Sequence, residues 1–473
     1  MVRQPTAPTQ PRHRARGAVA LVAAAAMLMA TAPVRAQERG AKGGGVPIIR
    51  DAEIEQLLRD YTRPLLQAAG LAKQNIEVVI INDRSFNAFV ADGRRIFVNA
   101  GALMEADTPN QIIGVLAHET GHLAGGHLSR LRDEVSRAQT QSIVAMLLSV
   151  GALVASGRSN NVGGDVGAAV LAPQGMIQRS LLAYVRTQEE QADRAGVKFL
   201  TATHQSPKGM YDTFKRFADQ SLFYKSNIDP YMQTHPMPAE RVAALEQLAK
   251  SSPYWDKKDS PELQLRHDLM RAKLSGFIEG PDAVGRRYPF SNTSLPARYA
   301  RAIASYRMGD VRGAVGQIDG LIHAQPSNPY FYELKGQALL EGGHPAAAIA
   351  PLRHAAQVAP TPVLIQALLG QAMVASNDPK NVKEAIPLLR RVVTKDPDLS
   401  EAFTQLAMAY GRTGNDPEAD LASAQAAAAR GDIKTARLLA ARAKTRFPIG
   451  SPGWVRADDI FSLKQPSTSS LRR

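Results

Sequence analysis

A glycine, an alanine and a proline recur in fixed order through the C-terminal part of this sequence. Gly309 is followed by Ala314 and Pro326, and 34 residues on Gly343 is followed by Ala348 and Pro360 at the same offsets. Gly431, Ala436 and Pro448 keep those offsets again, and a further copy through Ala385 and Pro397 carries three extra residues near Asn377-Asp378-Pro379. A period of this length accommodates one pair of antiparallel helices. The small residues let the two helices approach, and the proline stops the second before the next pair begins. One such unit cannot bury its apolar face alone. Residues 295–455 are therefore committed to a stacked α-solenoid, with the alanine-rich stretch Ala422 to Ala429 in an irregular end unit of the kind such arrays need.

The period and its marker residues are the tetratricopeptide signature. With 473 residues the chain has room for another domain ahead of the array. It contains no cysteine, which excludes a disulfide framework, a thiolate zinc site and a cysteine nucleophile. The first residues read as an export signal: basic Arg3, Arg12, Arg14 and Arg16, an apolar run from Ala18 to Met29, and a small-x-small site at Val34-Arg35-Ala36. The run is shorter than the roughly 20 residues of a membrane span. The expected order is a signal over 1–36, a linker over 37–50, a catalytic domain over 51–255, connecting helices over 256–294, the repeats, and a tail over 456–473. The formal charge of +14 includes five arginines before residue 37. The remaining basic residues are scattered without interleaved aromatics, so no nucleic-acid surface is expected. They read as solvated faces, with an excess that favours an anionic membrane surface.

Ahead of the repeats the periodicity changes twice. Ile54, Leu57, Leu58, Tyr61, Leu65 and Leu66 keep helical spacing. Ile76 to Ile81, Phe86 to Val90 and Arg95 to Val98 are strand-like, with Asp92-Gly93 as a hairpin turn, which predicts a small antiparallel sheet. The Arg95–Val98 strand is a candidate to pair with an extended substrate. Thr108, Pro109 and Gln111 form a capping box that opens a helix. Two apolar stretches over 142–177 are each too short to span a bilayer. They read either as a buried helical hairpin or as a lid that meets a membrane surface through Met146, Leu147 and Leu148. A helix from about Ser180 to Leu200 follows.

The helix opened by Thr108 carries His118-Glu119-Thr120-Gly121-His122. Residues four apart share a helix face, so both imidazoles reach one metal ion, and Glu119 is placed to take a proton from water there without ligating. Gly121 costs helix stability unless something must approach the backbone closely. A metzincin would place a histidine ten residues after His118, where Leu128 stands; His127 misses by one. The third ligand is then a later glutamate, Glu189 or Glu190. Glu189 shares a face with Asp193, which suits a ligand backed by a carboxylate that holds a histidine tautomer. His204, His267, His323, His344 and His354 have no partner at useful spacing and read as structural.

His118-Glu119-x-x-His122 together with Glu189-x-x-x-Asp193 resembles the HtpX and CAAX prenyl protease group of gluzincins. The resemblance implies a mainly α (α+β) metallopeptidase domain in which Glu189 is the third zinc ligand and Asp193 supports a ligand histidine. Thr234-His235-Pro236 followed by Arg241 resembles the group's His-Pro…Arg segment. That implies that His235 and Arg241 steady the oxyanion, and that His235 also binds the zinc at rest and keeps the enzyme latent. With the signal and the repeats, the mature chain is similar throughout to exported peptidases of outer-membrane protein quality control. The resemblance implies a periplasmic metalloendopeptidase with one Zn2+ per subunit. Its implied partners are unfolded or misassembled outer-membrane proteins as substrates and the barrel assembly machinery on the repeats. The other reading is a chaperone-like adaptor whose metal site is mostly silent.

Overall fold

The computed structural model describes residues 47–140, 165–223 and 230–464. The export signal, the start of the linker and most of the 142–177 hairpin reading fall outside the described residues. Helix α1 (Ala52–Ala68) begins at Asp51, whose carboxylate accepts from the Ile54 amide at 2.9 Å. Its apolar stripe of Ile54, Leu57, Leu58, Tyr61 and Leu65 is buried against the sheet and the helices that follow.

The sheet has four strands in the order β1 (Ile48–Ile49), β2 (Glu77–Ile81), β4 (Arg95–Asn99), β3 (Ala88–Val90). The turn around Asp92-Gly93 gives the expected antiparallel hairpin, with Ala88 opposite Val98 and Val90 opposite Ile96. Strands β2 and β4, however, run parallel, from Glu77 beside Arg95 to Ile81 beside Asn99, so the sheet is mixed. The reason lies in β4 itself. Ile96, Phe97, Val98 and Asn99 are all buried, which is the continuous pattern of a strand covered on both faces and flanked on both sides. A strand with two neighbours has no edge for a substrate, which overturns the expectation for Arg95–Val98; the edges belong to β1 and β3.

After β4 come α2 (Ala100–Glu105) and α3 (Pro109–Gly125). The carboxamide oxygen of Gln111 accepts from the Thr108 amide at 3.3 Å and the Asp107 amide at 2.6 Å, and Pro109 occupies the first turn. Helix α4 (Asp165–Ala202) is much longer than the sequence pattern suggests. It is followed by α5 (Lys208–Phe223), the short α6 (Pro230–Thr234) and α7 (Ala239–Lys250). One apolar core joins Leu58, Val98, Leu116, Phe214 and Tyr231, and so ties α1, the sheet, α3, α5 and α6 together.

Helix α8 (Pro261–Ile278) leads to the repeats. Their helices pair in sequence: Leu295–Arg307 with Val311–Ala324, Pro329–Glu341 with Pro345–Val358, Val363–Ala375 with Pro379–Lys395, Ser400–Arg412 with Asp416–Ala429, and Ile433–Lys444 with Pro452–Phe461. The turn inside each of the first four pairs needs a left-handed residue: Gly309, Gly343, Asn377 and Gly414, at φ 89, 82, 60 and 73. Gly431 falls between the fourth and fifth pairs. The copy counted from it is therefore half a unit out of step, because a left-handed glycine closes helices of either kind.

The start of α1 is held by the repeats. Lys273 of α8 is 3% exposed and lies 2.8 Å from Asp51, 3.3 Å from Glu53 and 3.7 Å from Glu333, while the Tyr299 hydroxyl donates to Glu53 at 2.9 Å. Arg50 pairs with Asp396 at 2.7 Å.

Candidate metal centre

Helices α3 and α4 cross at a point where neither has room for a side chain. A Cβ on Gly121 would lie 2.7 Å from the Ala192 carbonyl oxygen, and one on Gly196 would lie 3.2 Å from the His118 amide. The close approach that Gly121 implies is therefore the backbone of the helix carrying Glu189. His118 and His122, one turn apart on α3, turn their Nε2 atoms to within 3.0 Å of each other. Glu189 reaches across with Oε2 3.3 Å from His118 Nε2 and Oε1 3.4 Å from His122 Nε2. His235, just after α6, brings its Nδ1 to 3.0 Å from Glu189 Oε2 and 3.3 Å from His118 Nε2. The donor atoms of these four residues all lie within 4.8 Å of one another. Glu190 points to solvent.

Three imidazoles and one carboxylate converging in a buried pocket are a donor set for a divalent cation. A further observation fits an ion here. Glu119 is fully buried, its carboxylate oxygens have no hydrogen-bond partner, and His235 Nε2 stands 3.5 Å from Oε1. A carboxylate left so is costly unless a charge or a water completes its surroundings.

Behind the donors stands a second set of groups. Asp193 Oδ1 lies 2.9 Å from His118 Nδ1, and Arg241 clamps Asp193 with Nε at 2.7 Å and Nη2 at 2.8 Å. Arg241 Nη1 meets Glu189 Oε2 at 3.0 Å and the Pro236 carbonyl at 2.8 Å. The guanidinium is thus turned toward the two carboxylates. Tyr231, which the sequence reading passed over, stacks near His235 with ring centroids 4.7 Å apart, and its carbonyl accepts from the His235 amide at 2.7 Å. The four-residue spacing of Tyr231 and His235 was the available signal. His267 is structural: its ring nitrogens bond the Tyr61 hydroxyl at 3.1 Å and the Ala106 carbonyl at 2.9 Å.

Burial and charge divide the titrations. Burial pushes the Glu119 carboxyl up. Burial acts the same way on Glu189, but His235 and hydrogen bonds from His118 and His122 outweigh it and hold the carboxyl well below its usual range. Burial alone would lower His118, yet its bonds to Asp193 and Glu189 push it up to about 9. His122 goes the other way, to about 3, chiefly by burial. One imidazole is backed by carboxylates and the other stays neutral.

Residues 48–249 match the family model of Peptidase family M48, and residues 299–362 match Tetratricopeptide repeat. The chain is a metalloendopeptidase, with a peptidase region similar to Peptidase family M48 followed by tetratricopeptide repeats. It is similar to the Beta-barrel assembly-enhancing protease of Yersinia pestis, 26% identical over 418 residues, which cover 87% of this chain and 83% of that protein. The protein of that name from Escherichia coli (strain K12) is 25% identical over 439 residues, 89% of this chain and 85% of the other. Protease HtpX of Chromohalobacter salexigens is 28% identical over 226 residues, 41% of this chain and 72% of its own.

Proposed function

We propose that the chain is a periplasmic zinc-dependent endopeptidase that acts on unfolded or misassembled outer-membrane proteins and assists their assembly through its repeats. The observation that carries the catalytic part is the convergence of His118, His122 and Glu189 beside the unpartnered, buried carboxylate of Glu119. Those three residues would hold one Zn2+, which would supply Lewis-acid polarisation of the scissile carbonyl and ease deprotonation of water in the site. Glu119 takes the proton from the attacking water and passes it to the leaving amine; its raised pKa suits the first task and its freedom from hydrogen bonds the second. Asp193 fixes the tautomer of His118. Arg241 acts one layer back, holding Asp193 and Glu189 in place.

His235 has two positions in this scheme. With its Nδ1 in the donor set, His235 would take the position that water needs and would keep the resting site latent. Swung outward, it becomes the donor that steadies the oxyanion. An extended substrate pairs with the β3 edge, which packs beside α3. Backbone pairing of that kind recognises unfolded segments with loose sequence preference. The relatives' name, which refers to enhancing β-barrel assembly, and the repeats, which are built to bind protein, support the assembly role. Residues 1–36 support export.

The test is Glu119→Gln in the full chain. Cleavage of an unfolded protein such as casein is expected to vanish while bound metal stays at the wild-type level; persistent cleavage would refute the assignment. The same variant separates the adaptor reading: if it still supports outer-membrane protein assembly in cells, binding through the repeats suffices.

A further inference from the structure

A third imidazole stands behind His122. Gly126 ends α3 in the left-handed region at φ 61, and Gln188 of α4 donates to the His127 carbonyl at 3.2 Å. The chain is thereby turned back so that His127, 3% exposed, folds under its own helix. Its Nδ1 comes to 3.0 Å from Nδ1 of His122, with the two rings nearly perpendicular at 85°. The neighbouring glycine makes the space. A Cβ on Gly125 would lie 2.2 Å from Nε2 and 2.5 Å from Cδ2 of the His127 ring.

We infer that His127 is a positioning residue for the metal centre: its Nδ1 accepts the hydrogen on His122 Nδ1 and so holds His122 with its Nε2 lone pair facing the ion. This rests on the zinc-peptidase reading above. An imidazole that offers Nε2 to a metal keeps its hydrogen on Nδ1, and a buried N–H without an acceptor is costly. His122 does turn Nε2 toward His118 and Glu189, and the atom facing its Nδ1 is that of His127. His118 is held in the same way by Asp193. The two ligand histidines thus have different backing groups: a carboxylate already clamped by Arg241 for one, and an uncharged ring for the other. The imidazole fixes orientation without adding a further negative charge to a pocket that already holds Glu119, Glu189 and Asp193. The Gly125-Gly126 pair is the sequence element that makes the fold-back possible.

The experiment measures zinc affinity by chelator competition on the full chain, with thermal melting of each metal-free variant as the check on folding. His127→Asn keeps an acceptor near the position of Nδ1; His127→Leu fills the space without one, and His127→Ala removes the ring without strain. Loss of an outer group of this kind costs roughly 10–100-fold in metal affinity. Leu and Ala are expected to show that loss, while Asn stays within about threefold of wild type. The inference is overturned if Asn is as weak as Leu and Ala, or if Leu and Ala hold zinc as tightly as wild type. A wild-type chain that binds no zinc would instead remove the peptidase reading itself.

Discussion

Gly121 and Ala192 lie so close that a single methyl group on Gly121 would stand 2.7 Å from the Ala192 carbonyl oxygen. The contact sets the spacing of α3 and α4, and with it the distance from the two histidines to Glu189. Gly121→Ala should gain helix propensity on α3 yet lose overall. Backbone atoms have to move, at a cost typical of overpacked cores, about 1–3 kcal/mol. The displacement also separates Glu189 from His118 and His122. Urea unfolding of the metal-free chain together with metal content checks both effects, and a stable variant with full metal would contradict the role given to the crossing.

Arg241 compensates two buried carboxylates at once. Removing it as Arg241→Leu takes the guanidinium from Asp193 and Glu189 and leaves them only the histidines, in a pocket where both are nearly inaccessible, and breaking a buried pair of this kind costs about 3–5 kcal/mol. Arg241→Lys should recover only part of the loss, since a lysine cannot make the two-pronged bond to Asp193. Denaturant midpoints of the three proteins, measured without metal, test this order.

The ionic cluster that joins α1 to the repeats has three carboxylates, Asp51, Glu53 and Glu333, around one ammonium, Lys273. Burial pushes the Glu333 carboxyl up from 4.5 to about 8 despite the attraction of Lys273. A carboxyl with a raised folded-state pKa binds its proton more tightly when folded. The stability it contributes is fully present below about pH 4.5 and is lost as pH rises through about 8. Glu333→Gln should therefore melt close to wild type at pH 5 and about 1–3 °C above it at pH 8. Melting curves at the two pH values decide it; a gap that is equal at both would contradict the account.

Much of this was legible in the sequence, and the gaps have physical causes. The two-histidine helix and Asp193 behind Glu189 depend on i,i+4 spacing, which a helix converts directly into a shared face; the capping box at Thr108 rests on the equally local i,i+3 spacing. The pairing of β2 with β4 is set by which strand is covered on both faces, a property of the assembled domain, so a run such as Ile96-Phe97-Val98 could not by itself announce parallel neighbours. Arg241 was legible as a site residue but not in its orientation, because a guanidinium follows whichever carboxylates the fold brings to it. The half-unit slip at Gly431 arose because left-handed glycines end both helices of a repeat. The ionic cluster of Lys273 joins residues more than 200 positions apart, and no spacing rule reaches that far.

The most direct test of the account is the zinc content of the purified full chain beside that of Glu189→Ala, measured by elemental mass spectrometry after gel filtration. The account requires about one ion per wild-type chain and a small fraction of that in the variant. Equal zinc in both proteins, or none in the wild type, would mean that His118, His122 and Glu189 do not form the metal site.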